Sequence, residues 1–100
     1  MIEYQKIQNA IRQRHVVTFR YHGFARTVVP CACGLSSAGR LVFRGYQIAG
    51  GSSSGRSVPF WSLFLVSEVT DFLDSGIRFL AEPHGYKRGD KGIERIDAEL

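Results

Sequence analysis

Apolar positions at the start of the chain recur every three to four residues. Tyr4, Ile7, Ala10 and Ile11 fall on one side, and Lys6, Gln8, Asn9, Arg12 and Gln13 on the other. That spacing predicts an amphipathic helix over about residues 2–14, too short to persist in water unless it docks on other structure. From His15 the period drops to two. Val17, Phe19 and Tyr21 alternate with Thr18 and Arg20 as in a half-buried strand, and Gly23 supplies the turn. Residues 25–34 read as a second strand, with Pro30 marking an edge or a bulge because it has no N–H to give a ladder. Residues 41–49 and 60–66 read as a third and a fourth. Residues 69–80 read as a fifth strand interrupted at Gly76, or as a hairpin.

Short strands joined by small turns behind one helix point to a mainly β (α+β) domain spanning residues 1–100. The expected architecture is an N-terminal helix and a small five-stranded Sm-like or SH3-like barrel over about residues 15–80. Residues 83–91, polar and rich in glycine, read as a surface loop. Residues 93–100 read as a last strand or a last helical turn, with a strand preferred.

Composition narrows the function classes. No apolar run is long enough to form a transmembrane helix, and the first residues lack the apolar stretch of a signal peptide, so a cytoplasmic protein without a membrane partner is expected. The net charge of +4 permits an anionic partner without requiring one, since the cations are scattered. Cys31 and Cys33 are too close along an extended chain for an unstrained disulfide, so they read as free thiols and small hydrophobes. Two cysteines and three dispersed histidines do not make a zinc set, and no nucleophile, base and orienting group share a spacing that favours chemistry. The reading is therefore non-catalytic, with no metal and no cofactor. The tripeptide Arg88-Gly89-Asp90 matches an adhesion motif, but three residues match by chance too often to carry weight.

The order of these segments resembles the WYL domain, a bacterial module with an Sm-like or SH3-like barrel. The resemblance runs through Ala10-Ile11, Val17-x-Phe19-x-Tyr21 and Arg26-x-Val28-x-Pro30. It continues through Leu41-Val42-Phe43-Arg44-Gly45-Tyr46 to Phe64, Val66 and Val69. The Trp-Tyr-Leu triplet that names the family is replaced by Leu41-Val42-Phe43. Ser62 and Glu68 stand where the resemblance implies cationic ligand contacts. The likeness is to compact, stand-alone members without a helix-turn-helix, and it implies a role in transcription regulation or defence.

The candidate ligand-binding set is Arg44, Tyr46, Gln47, Ser53, Ser54, Arg56 and Trp61. Arg44 and Tyr46 are two apart on one strand and project to the same face, where a guanidinium beside a ring suits a nucleobase and its phosphate. The alternative makes Tyr46 a core residue with Arg44 a solvated neighbour. Residues 50–56 offer serine hydroxyls, approachable glycine amides and the forked cation of Arg56, which together can wrap an anion, although no Walker frame is present. The same segment also reads as a plain mobile hairpin loop. Trp61 is either a core residue or a stacking platform.

The expected partner is a nucleotide or short single-stranded nucleic acid on the Arg44–Tyr46 face, with the serine loop as a flap. The other reading is a protein-interaction module or homo-oligomeric scaffold that uses a barrel edge or groove.

Overall fold

The computed structural model describes residues 3–100; Met1 and Ile2 lie outside the described residues, so the expected helix start at residue 2 does too. Helix α1 spans Tyr4–Gln13 and buries Ile7, Ala10 and Ile11, the three aliphatic members of the predicted stripe. Tyr4 lies at the rim of that stripe and donates its hydroxyl to Asp97 Oδ2 at 2.7 Å. Arg14 closes the helix in a left-handed conformation at φ 59°, and the chain turns directly into the first strand.

The strands are β1 (His15–Tyr21), β2 (Phe24–Leu35), β3 (Leu41–Gly50), β4 (Phe60–Leu65), β5 (Thr70–Arg78) and β6 (Arg95–Glu99), with a 3-10 turn at Val66–Glu68 before β5. They form one antiparallel sheet of six strands in the order β4-β3-β2-β1-β5, and β6 pairs with β2 off that path. Residues 93–100 thus supply a strand, as preferred, and the described residues hold six strands where five were expected to make the sheet. β5 is a single strand, not a hairpin. Its register against β1 slips between His15 and Val17, where Gly76 sits at φ +71°.

Pro30 marks a bulge rather than an edge. β2 is the central strand, and its register against β3 shifts between Pro30 and Ala32. Before the shift, Phe24 to Val28 pair with β1; beyond it, Ala32 to Leu35 pair with β6. A bulge bends a strand and strengthens its twist, so β2 serves two neighbours on one side in turn.

The main core packs between the sheet and α1. Phe19, Tyr21, Phe43 and Phe64 pack edge-on or stacked with centroids 5.0–6.4 Å apart, against the apolar stripe of α1 and both cysteines. A second, smaller cluster of Ala32, Val42 and Ile93 joins Leu63, Leu65 and Ile96 where the C-terminal segment returns over β3. Among the described residues, no helix is long and apolar enough to cross a membrane.

Candidate functional site

The alternation of β3 decides which of its side chains meet the surface. Phe43 and Gln47 point into the core, while Arg44 and Tyr46 are half-buried on the opposite face. Across the ladder, Arg44 lies opposite Leu63 and Tyr46 opposite Trp61, so Tyr46 and Trp61 pack with ring centroids 4.9 Å apart. Residues 83–92 then run over this face. Trp61 Nε1 donates to the His84 carbonyl at 3.0 Å, and Gly85, at φ +86°, passes close enough that a Cβ would sit 3.2 Å from that nitrogen. Tyr86 lies over Trp61 at 6.4 Å and 29°.

The loop is held down at several points. Arg44 grips Asp90 with two hydrogen bonds, Nε to Oδ2 at 2.6 Å and Nη2 to Oδ1 at 3.1 Å. Tyr86 Oη and Arg88 Nη1 both donate to the Leu100 carbonyl, at 3.1 and 2.7 Å, and Arg88 Nη2 reaches Glu99 Oε1 at 2.8 Å. Between loop and strands lies an open cleft of about 420 Å³, lined by Arg44, Trp61 and the run from Gly85 to Lys91. That volume falls within the roughly 300–1,000 Å³ of small-molecule sites. The lining holds four cations (Arg44, Lys87, Arg88 and Lys91), one carboxylate, Asp90, and two aromatic rings, Trp61 and Tyr86.

Among the described residues, Asp90 is the one acid that lines the cleft. The Arg44 guanidinium holds its carboxyl below the usual carboxylate range, helped by the Gly92 N–H and opposed by burial. A depressed folded pKa means that the pair stabilises the loop fully above the unfolded value of about 4 and loses that contribution as pH falls through the folded pKa. Acidification below about pH 4 should therefore release the loop from Arg44, read as a change in Trp61 fluorescence. Asp90→Asn should abolish that acid step; persistence of the step in the variant would place its origin elsewhere.

The serine loop lies apart from this cleft. A second, smaller cleft of about 260 Å³ is lined by Ser53, Ser54 and Arg56 together with Tyr21, His22, Arg26 and Ser62, and it shares no lining residue with the first. The expected flap over Arg44 and Tyr46 is thus not the 50–56 segment: the segment that covers that face is 83–92. Nor does the serine loop hang free. Gln47, fully buried, donates its side-chain N–H to the Gly51 carbonyl at 3.0 Å and accepts from Arg26 Nη1 at 3.4 Å. Ser52 Oγ accepts the Arg56 N–H at 3.2 Å, and Arg56 Nη2 donates to the Trp61 carbonyl at 2.8 Å while its guanidinium lies 4.1 Å over the Phe60 ring.

The seven candidates therefore divide. Arg44 and Trp61 line the larger cleft, backed by Tyr46; Ser53, Ser54 and Arg56 line the smaller; Gln47 has no surface to offer a ligand and anchors the loop instead. Sequence reasoning missed Tyr86, Lys87, Arg88, Asp90 and Lys91. The run from Gly85 to Lys91 interleaves cations with an aromatic, a signal for an anionic aromatic ligand that its glycines disguised as plain loop. At the two positions where the resemblance implies cations, Ser62 lines the smaller cleft and Glu68 pairs with His22 Nε2. Burial pushes the Cys31 thiol up to about 12 and raises that of Cys33, so both sulfurs stay protonated inside the core. No protein-family model, no curated protein and no solved structure matches the chain.

Proposed function

We propose that this chain is a non-catalytic binding module that takes a nucleotide or a short single-stranded nucleic acid in the Trp61 cleft. It would act as a sensor or accessory regulator. We propose further that its sheet and helix are a compact variant of the WYL-like barrel. The observation that carries the binding reading is the composition of the cleft wall: Trp61 and Tyr86 beside four cations and one acid. An aromatic face stacks on any base, and nearby cations neutralise the phosphate, so recognition of this kind is tolerant of sequence and sensitive to salt. Arg44 is already engaged by Asp90, which leaves Lys87, Lys91 and the exposed flank of Arg88 to meet phosphate.

Trp61 is the single tryptophan and reports directly on the cleft. Titration with short single-stranded DNA and RNA, then with mononucleotides, should give a saturable fluorescence change. Two or three phosphates neutralised on a single strand predict a log–log salt slope of about −1.4 to −2.1. Lys87→Ala and Lys91→Ala should each flatten that slope by about 0.7. A folded protein whose Trp61 signal stays constant throughout, or whose binding ignores salt, would rule this reading out.

The other reading, a protein-interaction module or homo-oligomeric scaffold, has one observation in its favour. Leu73 and Ile77 on β5 and Leu80 beyond it are 62, 65 and 90 % exposed. Against strand pairing stands the slipped register of β5, since bulges on an edge strand blunt its capacity to recruit another. A silent Trp61 titration combined with a concentration-dependent mass in solution would favour this second reading.

A further inference from the structure

Arg26 is the most unusual side chain in the protein. It is 5 % exposed, yet among the described residues no carboxylate lies within ion-pair distance of it. Its guanidinium donates to the Tyr21 carbonyl at 3.0 Å and, weakly, to Gln47 Oε1 at 3.4 Å, while its Nε–H is buried with no acceptor. The rings of Tyr21, Phe24 and Phe64 surround the cation at 5.2–5.9 Å. An ion taken out of water without a counter-charge is costly, and a buried donor without an acceptor adds to that cost. Aromatic faces offset only part of it.

This unbalanced cation lines the smaller cleft, where Arg56 and the Ser53 and Ser54 side chains join it. His22, which also lines the cleft, holds Glu68 through Nε2, and its ring stacks on Tyr21 at 4.1 Å. Two arginines and four serines, Ser52, Ser53, Ser54 and Ser62, therefore line the cleft with no carboxylate among its lining residues. At about 260 Å³ the space falls below the range of drug-sized sites but accommodates a compact oxyanion. We infer that the Arg26–Arg56 cleft is a phosphate-binding site, separate from the Trp61 cleft, in which the anion supplies the counter-charge that Arg26 lacks. A planar fork matches the oxygen spacing of phosphate, and serine hydroxyls complete the shell.

The test reads the orphan donor itself. The Arg26 Nε–Hε resonance of the wild-type protein is followed while inorganic phosphate replaces chloride at constant ionic strength. A saturable shift with a midpoint at about 1 mM or below is expected, and Arg56→Ala, an exposed substitution, should weaken binding about tenfold for the loss of one charge-assisted contact. Adenosine 5′-monophosphate as a second probe separates sources: a tighter midpoint than phosphate assigns an ester, and a weaker one assigns the free oxyanion. Its effect on Trp61 fluorescence is recorded separately, because that reports the other cleft. An Arg26 resonance that stays in place at about ten times the expected midpoint, or that moves equally with chloride, overturns the site. So does an affinity unchanged in Arg56→Ala.

Discussion

Gly34→Ala is expected to detach β6 from β2 and, with it, the wall of the Trp61 cleft. A Cβ at Gly34 would lie 1.8 Å from the Arg95 carbonyl oxygen and 2.6 Å from Ile93 Cγ2. The first is backbone and the second belongs to a buried side chain of the smaller cluster, so neither can step aside cheaply. Overpacking of this kind costs up to about 3 kcal/mol, and more where backbone is the obstacle. The consequence passes along the chain in a definite order. β6 carries Glu99, and the Leu100 carbonyl follows it; these hold Arg88 and Tyr86. Residues 83–92 lose those anchors once β6 lifts away. Arg44–Asp90 and the Trp61 Nε1 bond to the His84 carbonyl would then be left to tether the loop. We expect fast amide exchange over residues 93–99 and loss of the ligand-induced Trp61 fluorescence change, with the β1-β2, β2-β3 and β3-β4 ladders intact. Gly39→Ala serves as the control. Gly39 sits at φ +76° with open space around it, so its variant carries only the backbone strain of a left-handed residue, about 1 kcal/mol. Equal losses in the two variants would show that close packing at Gly34 is not what seats β6.

How much of this was legible beforehand follows from what a sequence period encodes. A period of two assigns faces. Val17, Phe19 and Tyr21 are buried as the alternation requires, and Arg44 and Tyr46 share a face as predicted. The helical stripe is buried for the same reason. Pro30 announced an irregularity because a missing N–H is a local property, although the choice between edge and bulge depended on β6, far along the chain. Partners across long separations were not legible. Nothing around Arg44 announces Asp90, forty-six residues on, nor does Gln47 announce that it will fasten the serine loop. Glycines and serines read as freedom in a sequence, and only a buried amide beneath them shows the loop to be tethered. Arg26 was hidden most completely. The alternation puts it on the face of Val28, but the aromatic surroundings that replace a counter-charge became visible only with Tyr21, Phe24 and Phe64 folded around it.

Phe64→Ala should have the largest effect on stability, about 3–5 kcal/mol measured by urea unfolding. The ring is fully buried and touches three others, with centroids 5.1 Å from Phe19, 5.0 Å from Tyr21 and 5.1 Å from Phe43. Removing it leaves a cavity that cannot collapse easily, since β1 and β3 on either side are held in register by β2. A small domain holds only about 5–15 kcal/mol in total, so the variant approaches the edge of folding at physiological temperature. Phe64→Leu, which keeps most of the volume, should cost about 1–1.5 kcal/mol and stay folded. The milder variant is the more informative about function. Phe64 also lies 5.8 Å from the Arg26 guanidinium, so replacing the ring removes one aromatic face from a cation that has few partners. Phosphate binding at Arg26 should therefore change in Phe64→Leu while nucleotide binding at Trp61 does not. Gly34→Ala should do the reverse, sparing Arg26 and losing the Trp61 cleft. Two substitutions on opposite sides of β3 would then separate the two proposed binding sites, and a pair of variants that impaired both together would mean that the clefts are coupled through β3 and β4.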